Sequence, residues 1–192
     1  MKINFSVCTA IFSKIFDRRN LRVIILFSKL VARNVPVLLL RLVERWFSLA
    51  STCVKWGGHV THFFKVFAGV RQGGVLSSCL FAIYVDDAVK NLYSSGLGCN
   101  LSFICTSVFL YDDDVLLLLP SVHALQAMLL ICELELLSLD LCLNHNKSVC
   151  KRVGSRFNAD CAKLTTRNGH ELEWVNTCLC LVVFFYRPII QM

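Results

Sequence analysis

The order of elements along this sequence predicts an α+β fold, in which an antiparallel sheet packs against helices. Two observations lead to this prediction: apolar residues recur at helical spacing in several segments, and strand-like segments come in pairs that flank turn residues. Helices and hairpins in such an order typically form a layer of helices over a sheet. At 192 residues the chain is long enough for one sizeable core, so we expect a single domain over residues 1–192.

The apolar spacing predicts four helices. The first covers Asn20 to Asn34, and Pro36 begins a second one that runs to about Ala50. A third extends from Ser77 to about Tyr93 and stops at Ser94-Ser95-Gly96. The fourth starts at Pro120 and Ser121, and its predicted apolar face consists of Leu125, Met128, Leu129, Cys132 and Leu136.

Strands are predicted where β-branched, aromatic and other apolar residues flank turn residues. The three predicted hairpin turns are Gly57-Gly58, the aspartate triplet Asp112-Asp113-Asp114, and Asn168-Gly169. The last apolar run, Leu179 to Tyr186, predicts a single buried strand. The strand pairs around the three turns are Thr52–Trp56 with Val60–Phe67, Leu101–Tyr111 with Val115–Leu119, and Ala162–Thr166 with Glu171–Val175.

The apolar fraction of 56% is high for a soluble protein, so a membrane protein is the first class to test. The longest uncharged stretches, Asn91 to Tyr111 and Val115 to Cys132, contain glycine, serine and asparagine or a proline, and three consecutive aspartates lie between them. Hydrocarbon strongly disfavours such charge. We therefore expect no membrane span.

The compartment is constrained by the N-terminal residues and the cysteines. Lys2 and the apolar run Ile3 to Phe12 faintly resemble a secretory signal, but no convincing cleavage site follows them. The eleven cysteines match neither a zinc pattern nor a disulfide framework. We expect most of them to be small buried hydrophobes in a reducing compartment, which indicates an intracellular protein and leaves nucleus and cytoplasm open.

A formal net charge of +7 suits an anionic partner. Basic residues are concentrated between Lys147 and Arg167, where Asp160 is the acidic exception. Two interpretations stay open: the segment contacts phosphates, or it is an ordinary solvated face. No feature points to a specific protein partner. The basic residues of the segment are Lys147, Lys151, Arg152, Arg156, Lys163 and Arg167.

The aspartate triplet is the feature most directly linked to chemistry. It lies between apolar strands, where charge is costly unless it is solvated or paired with a metal. Carboxylates presented together on a tight turn suit Mg²⁺, and two such ions can activate a hydroxyl and stabilise a pyrophosphate leaving group. A solvent-exposed acidic turn is the alternative.

Sequence context around the triplet favours the metal site. The segment Gly69-Val70-Arg71-Gln72-Gly73-Gly74-Val75-Leu76-Ser77 closely resembles the reverse-transcriptase block written G-V-R-Q-G-G-V-L-S-P. Phe109-Leu110-Tyr111-Asp112-Asp113-Asp114-Val115 resembles the Tyr-x-Asp-Asp turn of the same enzymes. From about Ser13 to Val183 the chain is similar to the reverse transcriptase of non-LTR (LINE-type) retrotransposons, including Cys79–Tyr84, Asn146-Lys147-Ser148 and Trp174-Val175.

This resemblance implies a fold and a reaction. The fold is a polymerase-type palm, here with fingers partial and thumb absent. The reaction is RNA-directed DNA polymerisation, with an RNA template, a DNA primer, deoxynucleoside triphosphates and a two-metal Mg²⁺ site. Asp113 and Asp114 would be the catalytic, metal-binding residues. Arg71, Gln72 and Gly73 would shape the nucleotide or template pocket, and Lys147 would face the triphosphate.

Departures from the family pattern predict little or no activity. Ser13-Lys14-Ile15-Phe16-Asp17 echoes the end of the block Asp-x-x-Lys-Ala-Phe-Asp, whose first aspartate binds metal, but Ile11 stands at that position. Losing one of three carboxylates should cost on the order of a thousandfold or more in rate. Ser78 replaces an expected proline and Val182 an expected glycine. The magnesium site is therefore expected to be incomplete, as in a degenerate copy of a transposable element.

Two other classes of function stay open. The first is a non-catalytic remnant that binds nucleic acid through its basic segment. The second is a chain without function, whose apolar strands lack their usual neighbours and aggregate.

Overall fold

The computed structural model describes residues 5–13, 23–65, 75–98, 100–101, 104–111, 114–153, 161–176, 178–180 and 183–185. It divides into two compact units, Lys14–Val85 and the combination of Met1–Ser13 with Asp86–Met192. This division into units does not test the expectation of a single domain, which stays a prediction.

The described elements alternate between helices and short strands. In chain order they are β1 (Phe5–Ser13), α1 (Val23–Ala32), α2 (Val37–Ser48), β2 (Ser51–Thr52), β3 (Lys55–Trp56), β4 (His59–Val60), β5 (Phe64–Lys65), α3 (Val75–Ser94), β6 (Asn100–Leu101), β7 (Ile104–Cys105), β8 (Val108–Tyr111), β9 (Asp114–Leu119), α4 (Val122–Ser138), β10 (Cys142–Leu143), β11 (Val149–Val153), β12 (Leu164–Thr165), β13 (Glu171–Trp174), β14 (Cys178–Cys180) and β15 (Val183–Phe185).

The smaller unit, Lys14–Val85, contains two predicted helices and a predicted hairpin. Helix α1 buries Leu26 and Leu30, and its Lys29 Nζ donates to the Tyr84 carbonyl at 2.6 Å. The β3–β4 hairpin turns through Gly57 and Gly58, whose φ angles of 51° and 86° lie in the left-handed region that favours glycine. The predictions of α1, α2 and this hairpin are confirmed.

A mixed sheet forms the centre of the larger unit. Its strand order is β12-β13-β11-β1-β9-β8, and β10 also pairs with β1. The β11–β13 pair is parallel and the other pairs of this sheet are antiparallel. With helices beside it, the sheet confirms the α+β class.

Strand β1 is the main element that sequence reasoning missed. The run Ile3 to Phe12 drew attention only as a faint signal-like segment. In the structure Phe5–Ser13 is a central strand, paired with β9 on one side and with β11 and β10 on the other. Periodicity alone does not distinguish such a strand from other apolar segments.

Helix α4 covers this sheet as its pattern predicts. The Ser121 hydroxyl caps its start by accepting from the Ala124 N–H at 3.1 Å. The helix lies against β9, β10, β1 and β12. All five residues of the predicted apolar face are buried, together with Glu133.

Two hairpins near the C-terminal end of the chain differ in how well they were predicted. The β12–β13 hairpin turns through Gly169 at φ 80°, as the Asn-Gly pair predicts. The single strand predicted over Leu179 to Tyr186 is wrong, because β14 and β15 pair with each other and leave two residues between Cys180 and Val183. An apolar run without glycine, proline or asparagine gives no local sign of such a turn.

Among the helices in the part of the chain that the structure describes, none is both long enough and apolar enough to cross a membrane.

Candidate active site

The predicted aspartate turn is the tip of the β8–β9 hairpin. Tyr111 pairs with Asp114, so two residues, Asp112 and Asp113, connect the strands. Both lie outside the described residues, and the predicted role of Asp113 remains a prediction. Asp114 begins β9 and its side chain is half-buried. One carboxylate of the predicted site therefore stands at the end of a strand, directly after the turn.

Residue 11 lies next to this tip. Strand β1 runs antiparallel beside β9, and its register places Ile11 directly across from Asp114. Tyr111, Asp114 and Ile11 thus form one row across three strands. A carboxylate at position 11 would adjoin the aspartate tip.

The described side chains do not make up a three-carboxylate magnesium site. Mg²⁺ requires oxygen ligands at about 2.0–2.1 Å, and Asp114 supplies such a group whereas isoleucine at position 11 has none. Within the described ranges, no group of three or more His, Cys, Asp or Glu side chains is arranged to hold a metal ion. Because Asp113 lies outside those ranges, the incomplete magnesium site remains a prediction.

Lys147 lies in a tight turn between β10 and β11. The N–H groups of Lys147 and Ser148 both donate to the Asn144 carbonyl, at 3.1 and 2.9 Å, and the Ser148 hydroxyl donates to it at 2.8 Å. The Lys147 side chain is exposed. These bonds fix the shape of the turn and leave its lysine in solvent.

The turn is attached to the same strand as Ile11. Strand β10 pairs with β1 at Phe12, and β11 pairs with it up to Thr9. Position 11 therefore lies between Asp114 on one side and the Lys147 turn on the other. The structure thus brings together Asp114, Ile11 and the turn that carries Lys147, three positions far apart in sequence.

The predicted nucleotide or template residues Arg71, Gln72 and Gly73 lie outside the described residues. The described chain stops before them at the end of β5, Lys65, and resumes with α3 at Val75. Their roles remain predictions.

The basic segment is not one continuous surface. Lys151 is 4% exposed within β11, so the interpretation as a phosphate contact is wrong for this residue. Arg152 Nη1 donates to the Cys161 sulfur at 3.1 Å, and Lys163 forms an exposed ion pair with Glu171 at 2.6 Å. Arg156 lies outside the described residues, and Lys147 and Arg167 are exposed. Lys151 is buried because both faces of β11 are covered at this point, where the neighbouring Cys150 is buried as well.

Sequence reasoning also missed a cleft of about 80 Å³ beside the Lys147 turn. It lies between α4, that turn and the β12–β13 hairpin. Glu133 Oε2 accepts the Arg167 N–H there at 2.8 Å, and burial raises the pKa of the Glu133 carboxyl. The His145 and His170 rings stack in parallel with centroids 3.9 Å apart. One signal was available: a glutamate within the apolar face of α4 indicates a buried partner.

Comparison with models of protein families gives a match. Residues 12–171 match the family model described as reverse transcriptase (RNA-dependent DNA polymerase). That range includes the glycine block, the aspartate turn and Lys147, and it begins one position after Ile11. No curated protein matches the chain significantly.

Proposed function

Because the chain belongs to the reverse transcriptase (RNA-dependent DNA polymerase) family, we propose that it is the palm region of a retrotransposon polymerase, of the non-LTR (LINE) type, with little or no activity. Its substrates by family are an RNA template, a DNA primer and deoxynucleoside triphosphates. The retrotransposon type rests on the two sequence blocks and their order.

The observation that carries the proposed loss of activity is the register of β1. The resemblance of residues 13–17 to the upstream block assigns position 11 to the first metal-binding aspartate. Independently, strand pairing places position 11 directly across from Asp114. The register thus supports the proposal that a carboxylate at position 11 would complete the site, where this chain has isoleucine.

The chemistry follows from the donor set. In a complete site, carboxylates hold two Mg²⁺ ions that activate the primer hydroxyl and stabilise the pyrophosphate. Here Asp113 and Asp114 supply two carboxylates and Ile11 supplies none. We propose that the remaining functions are those of binding, with Arg71, Gln72 and Gly73 at the nucleotide or template and Lys147 at the triphosphate. Each of these needs charge, hydrogen bonds or backbone approach and none needs the lost carboxylate.

Primer extension on an RNA template tests the proposal. The unaltered chain, Ile11→Asp and Ile11→Asn are compared in Mg²⁺ and, separately, in Mn²⁺. We expect background incorporation from the unaltered chain and an increase on the order of a thousandfold for Ile11→Asp alone. Asparagine has the shape of aspartate without its charge, so Ile11→Asn controls for polarity at a central strand.

Adding Asp113→Ala and Asp114→Ala to Ile11→Asp should abolish the gain. Incorporation by the unaltered chain that disappears when both aspartates are replaced would overturn the proposed loss of activity. Thermal unfolding of each variant with Mg²⁺ shows whether the sheet tolerates the substitution.

A second function, binding of nucleic acid without catalysis, is favoured by the exposed Lys147 and Arg167 on neighbouring turns. Affinity for an RNA–DNA hybrid is measured against salt concentration. Lys147→Gln and Arg167→Gln should each reduce the magnitude of the log–log slope by about 1. Lys90→Gln is the matched control, because Lys90 is exposed but paired with Asp86 at 2.6 Å. Equal slopes for all variants would show that Lys147 and Arg167 do not contact the nucleic acid.

A further inference from the structure

A hairpin in the smaller unit is exposed on both faces. Strands β2 and β5 pair at its base and β3 and β4 at its tip, so residues 51–65 form one nested hairpin, here called the aromatic hairpin. Between the two strand pairs, the Thr61 N–H donates to the Val54 carbonyl and the Val54 N–H donates to the Thr61 hydroxyl, both at 3.0 Å. Cys53 is half-buried and every other residue of the hairpin is exposed. Since successive side chains of a strand point to opposite faces, both faces lie in solvent.

The exposed side chains of the aromatic hairpin include three large rings. Trp56 is 84% exposed, Phe63 is 74% exposed, and Phe64 is exposed as well. Water disfavours apolar surface, and large exposed apolar areas commonly mark interaction sites. A two-stranded hairpin is also marginally stable by itself. A partner that covers these rings would therefore stabilise the hairpin.

The charge of the smaller unit identifies the class of partner. Its sequence range, Lys14–Val85, contains eleven lysines and arginines and two acidic residues, whereas the rest of the chain contains nine and eleven. Between Glu44 and Asp86, a stretch that includes the whole hairpin, the sequence has no aspartate or glutamate. Lys55 and Lys65 are exposed, and neither forms an ion pair in the part of the chain that the structure describes. Such a surface fits an anion.

A lysine beside an aromatic residue occurs twice along the hairpin. Lys55 adjoins Trp56 near the tip, and Lys65 adjoins Phe64 at the base. Because β5 pairs with β2, four residues before β3, the two lysine–aromatic pairs lie about 13 Å apart at about 3.3 Å per residue. A stacked single strand of nucleic acid covers this distance with about four nucleotides, at about 3.4 Å each.

We propose that the aromatic hairpin binds single-stranded nucleic acid, with bases stacked on Trp56, Phe63 and Phe64 and phosphates at Lys55 and Lys65. Flat rings stack on any base, and lysines beside them neutralise the backbone. The use of this surface for an RNA template rests on the proposed function, whereas the composition and exposure of the hairpin do not.

An anionic lipid surface is the alternative partner, because it also combines negative charge with apolar material. The hairpin fits it less well. Trp56 pairs with His59, and Val60 is the next residue along that strand, so Trp56 and Val60 lie on opposite faces. Both are more than half exposed. A bilayer covers one side of an element that lies on it, whereas a flexible single strand can follow both faces.

Fluorescence polarisation of a labelled oligouridylate of about 12 nucleotides, mixed with the full chain, tests the stacking. Trp56→Leu removes the ring and keeps apolar bulk, and Trp56→Phe keeps a ring. Leu38→Ala is the control at an exposed apolar residue outside the hairpin. We expect Trp56→Leu to raise the Kd about tenfold, Trp56→Phe to raise it by less than about threefold, and Leu38→Ala to leave it unchanged. Equal affinity of the unaltered chain and Trp56→Leu would overturn the proposal.

The salt dependence of the same binding tests the lysines. Replacing both Lys55 and Lys65 by glutamine should reduce the magnitude of the log–log slope by about 1.4, since each phosphate of a single strand contributes about 0.7. Lys90→Gln is the matched control, at a lysine paired with Asp86. An unchanged slope in the double variant would overturn the phosphate contacts.

Two further probes distinguish the kind of partner. The bases of an RNA–DNA hybrid are stacked inside the duplex, so Trp56→Leu should leave the affinity for a hybrid unchanged. An equal loss for hybrid and single strand would overturn the stacking. Vesicles of phosphatidylcholine and phosphatidylserine test the lipid alternative. Vesicle binding that falls with Trp56→Leu, in a chain that does not bind the oligouridylate, would overturn the proposal in favour of lipid.

Primer extension by Ile11→Asp separates this inference from the proposed function. Single-strand affinity that falls with Trp56→Leu, without a gain of incorporation in Ile11→Asp, would support the hairpin site and contradict the proposed role of position 11. A gain of incorporation in Ile11→Asp, with single-strand affinity unchanged by Trp56→Leu, would overturn the hairpin site and support the proposed function.

Discussion

Helices α4 and α2 both carry apolar residues, but only one of them is buried. Helix α4 lies against β9, β10, β1 and β12 and buries residues along its whole length. Helix α2 has no buried residue, and Val37, Leu38 and Leu42 are each more than half exposed. An apolar pattern therefore identifies which face of a helix is apolar, and the sheet decides whether that face is covered.

The two units differ in the sheet they offer. In the larger unit, β1 has nine residues and β9 has six, and four residues of β9 are buried. In the smaller unit each of β2 to β5 is two residues long, and all their residues are exposed. Isolated short hairpins are marginally stable and bury little. We expect the larger unit to contribute most of the stability of the chain.

The largest expected effect is on core packing. Leu129→Ala in α4 removes a fully buried side chain and should lower the free energy of unfolding by about 2–5 kcal/mol. Leu38→Ala in α2 changes a residue that is 79% exposed and should stay within about 0.5 kcal/mol. Urea denaturation followed by circular dichroism measures both. Equal losses would show that α2 is covered in solution.

The next largest expected effect is a difference in thiol reactivity between a buried and an exposed helix position. Burial, with Glu133 and Glu135 nearby, raises the pKa of Cys132 to about 12, whereas Cys79 in α3 is exposed. We expect alkylation of Cys132 by iodoacetamide at pH 8 to be at least about a hundredfold slower, since the thiolate is the reactive form. Peptide mass mapping follows each cysteine. The difference should disappear in urea, and its absence in the folded chain would contradict the burial of α4.

A smaller effect concerns the attachment of the β12–β13 hairpin to α4. Gln126→Ala removes both hydrogen bonds to Thr165, and because the site is exposed the loss should be about 1 kcal/mol. Gln126→Glu keeps an acceptor for the Thr165 N–H and loses the donor to its carbonyl. Its free energy of unfolding should therefore lie between those of the unaltered chain and Gln126→Ala. Chemical denaturation measures this series. No change in either variant would mean that water replaces these bonds without cost.

The smallest effect is a pH dependence. Burial raises the pKa of Glu133 from its usual 4.5, so the folded chain binds this proton more tightly than the unfolded chain. The stabilising contribution is therefore complete below about pH 4.5 and is lost as pH rises through the raised value. Glu133→Gln does not titrate and still accepts the Arg167 N–H. Relative to the unaltered chain, its free energy of unfolding should rise from pH 4 to pH 7, and a constant difference would contradict the raised pKa.

Local patterns predicted local structure well. The apolar face of α4, the Gly57-Gly58 turn and the Asn168-Gly169 turn follow from spacing and backbone preference, both of which act over a few residues. A hairpin around the aspartates was predicted for the same reason, and β8 pairs with β9 there. The predicted bounds were wrong, because Asp114 belongs to β9 and the predicted strand Leu101–Tyr111 contains β7 and β8 and the end of β6, which pairs with β7.

Long-range placement was not predictable from these patterns. The position of β1 at the centre of the sheet, the burial of Lys151 and the stack of His145 on His170 depend on which distant segments pair. For the candidate site, the aspartate turn was found from its place between apolar segments, and position 11 was found by resemblance to a family. Their adjacency is a property of the register between β1 and β9.

The central place of β1 also bears on how the larger unit folds. In the described sheet, β12-β13-β11 on one side and β9-β8 on the other are joined through β1. Its partners come far later in the chain, since Ser6 pairs with Leu119 and with Arg152, and contacts so distant in sequence slow folding. During synthesis both edges of β1 stay open until those partners leave the ribosome, which is the condition under which strands pair with the wrong neighbour. Because β1 joins the two sides, deleting it would divide the described sheet into two separate pieces.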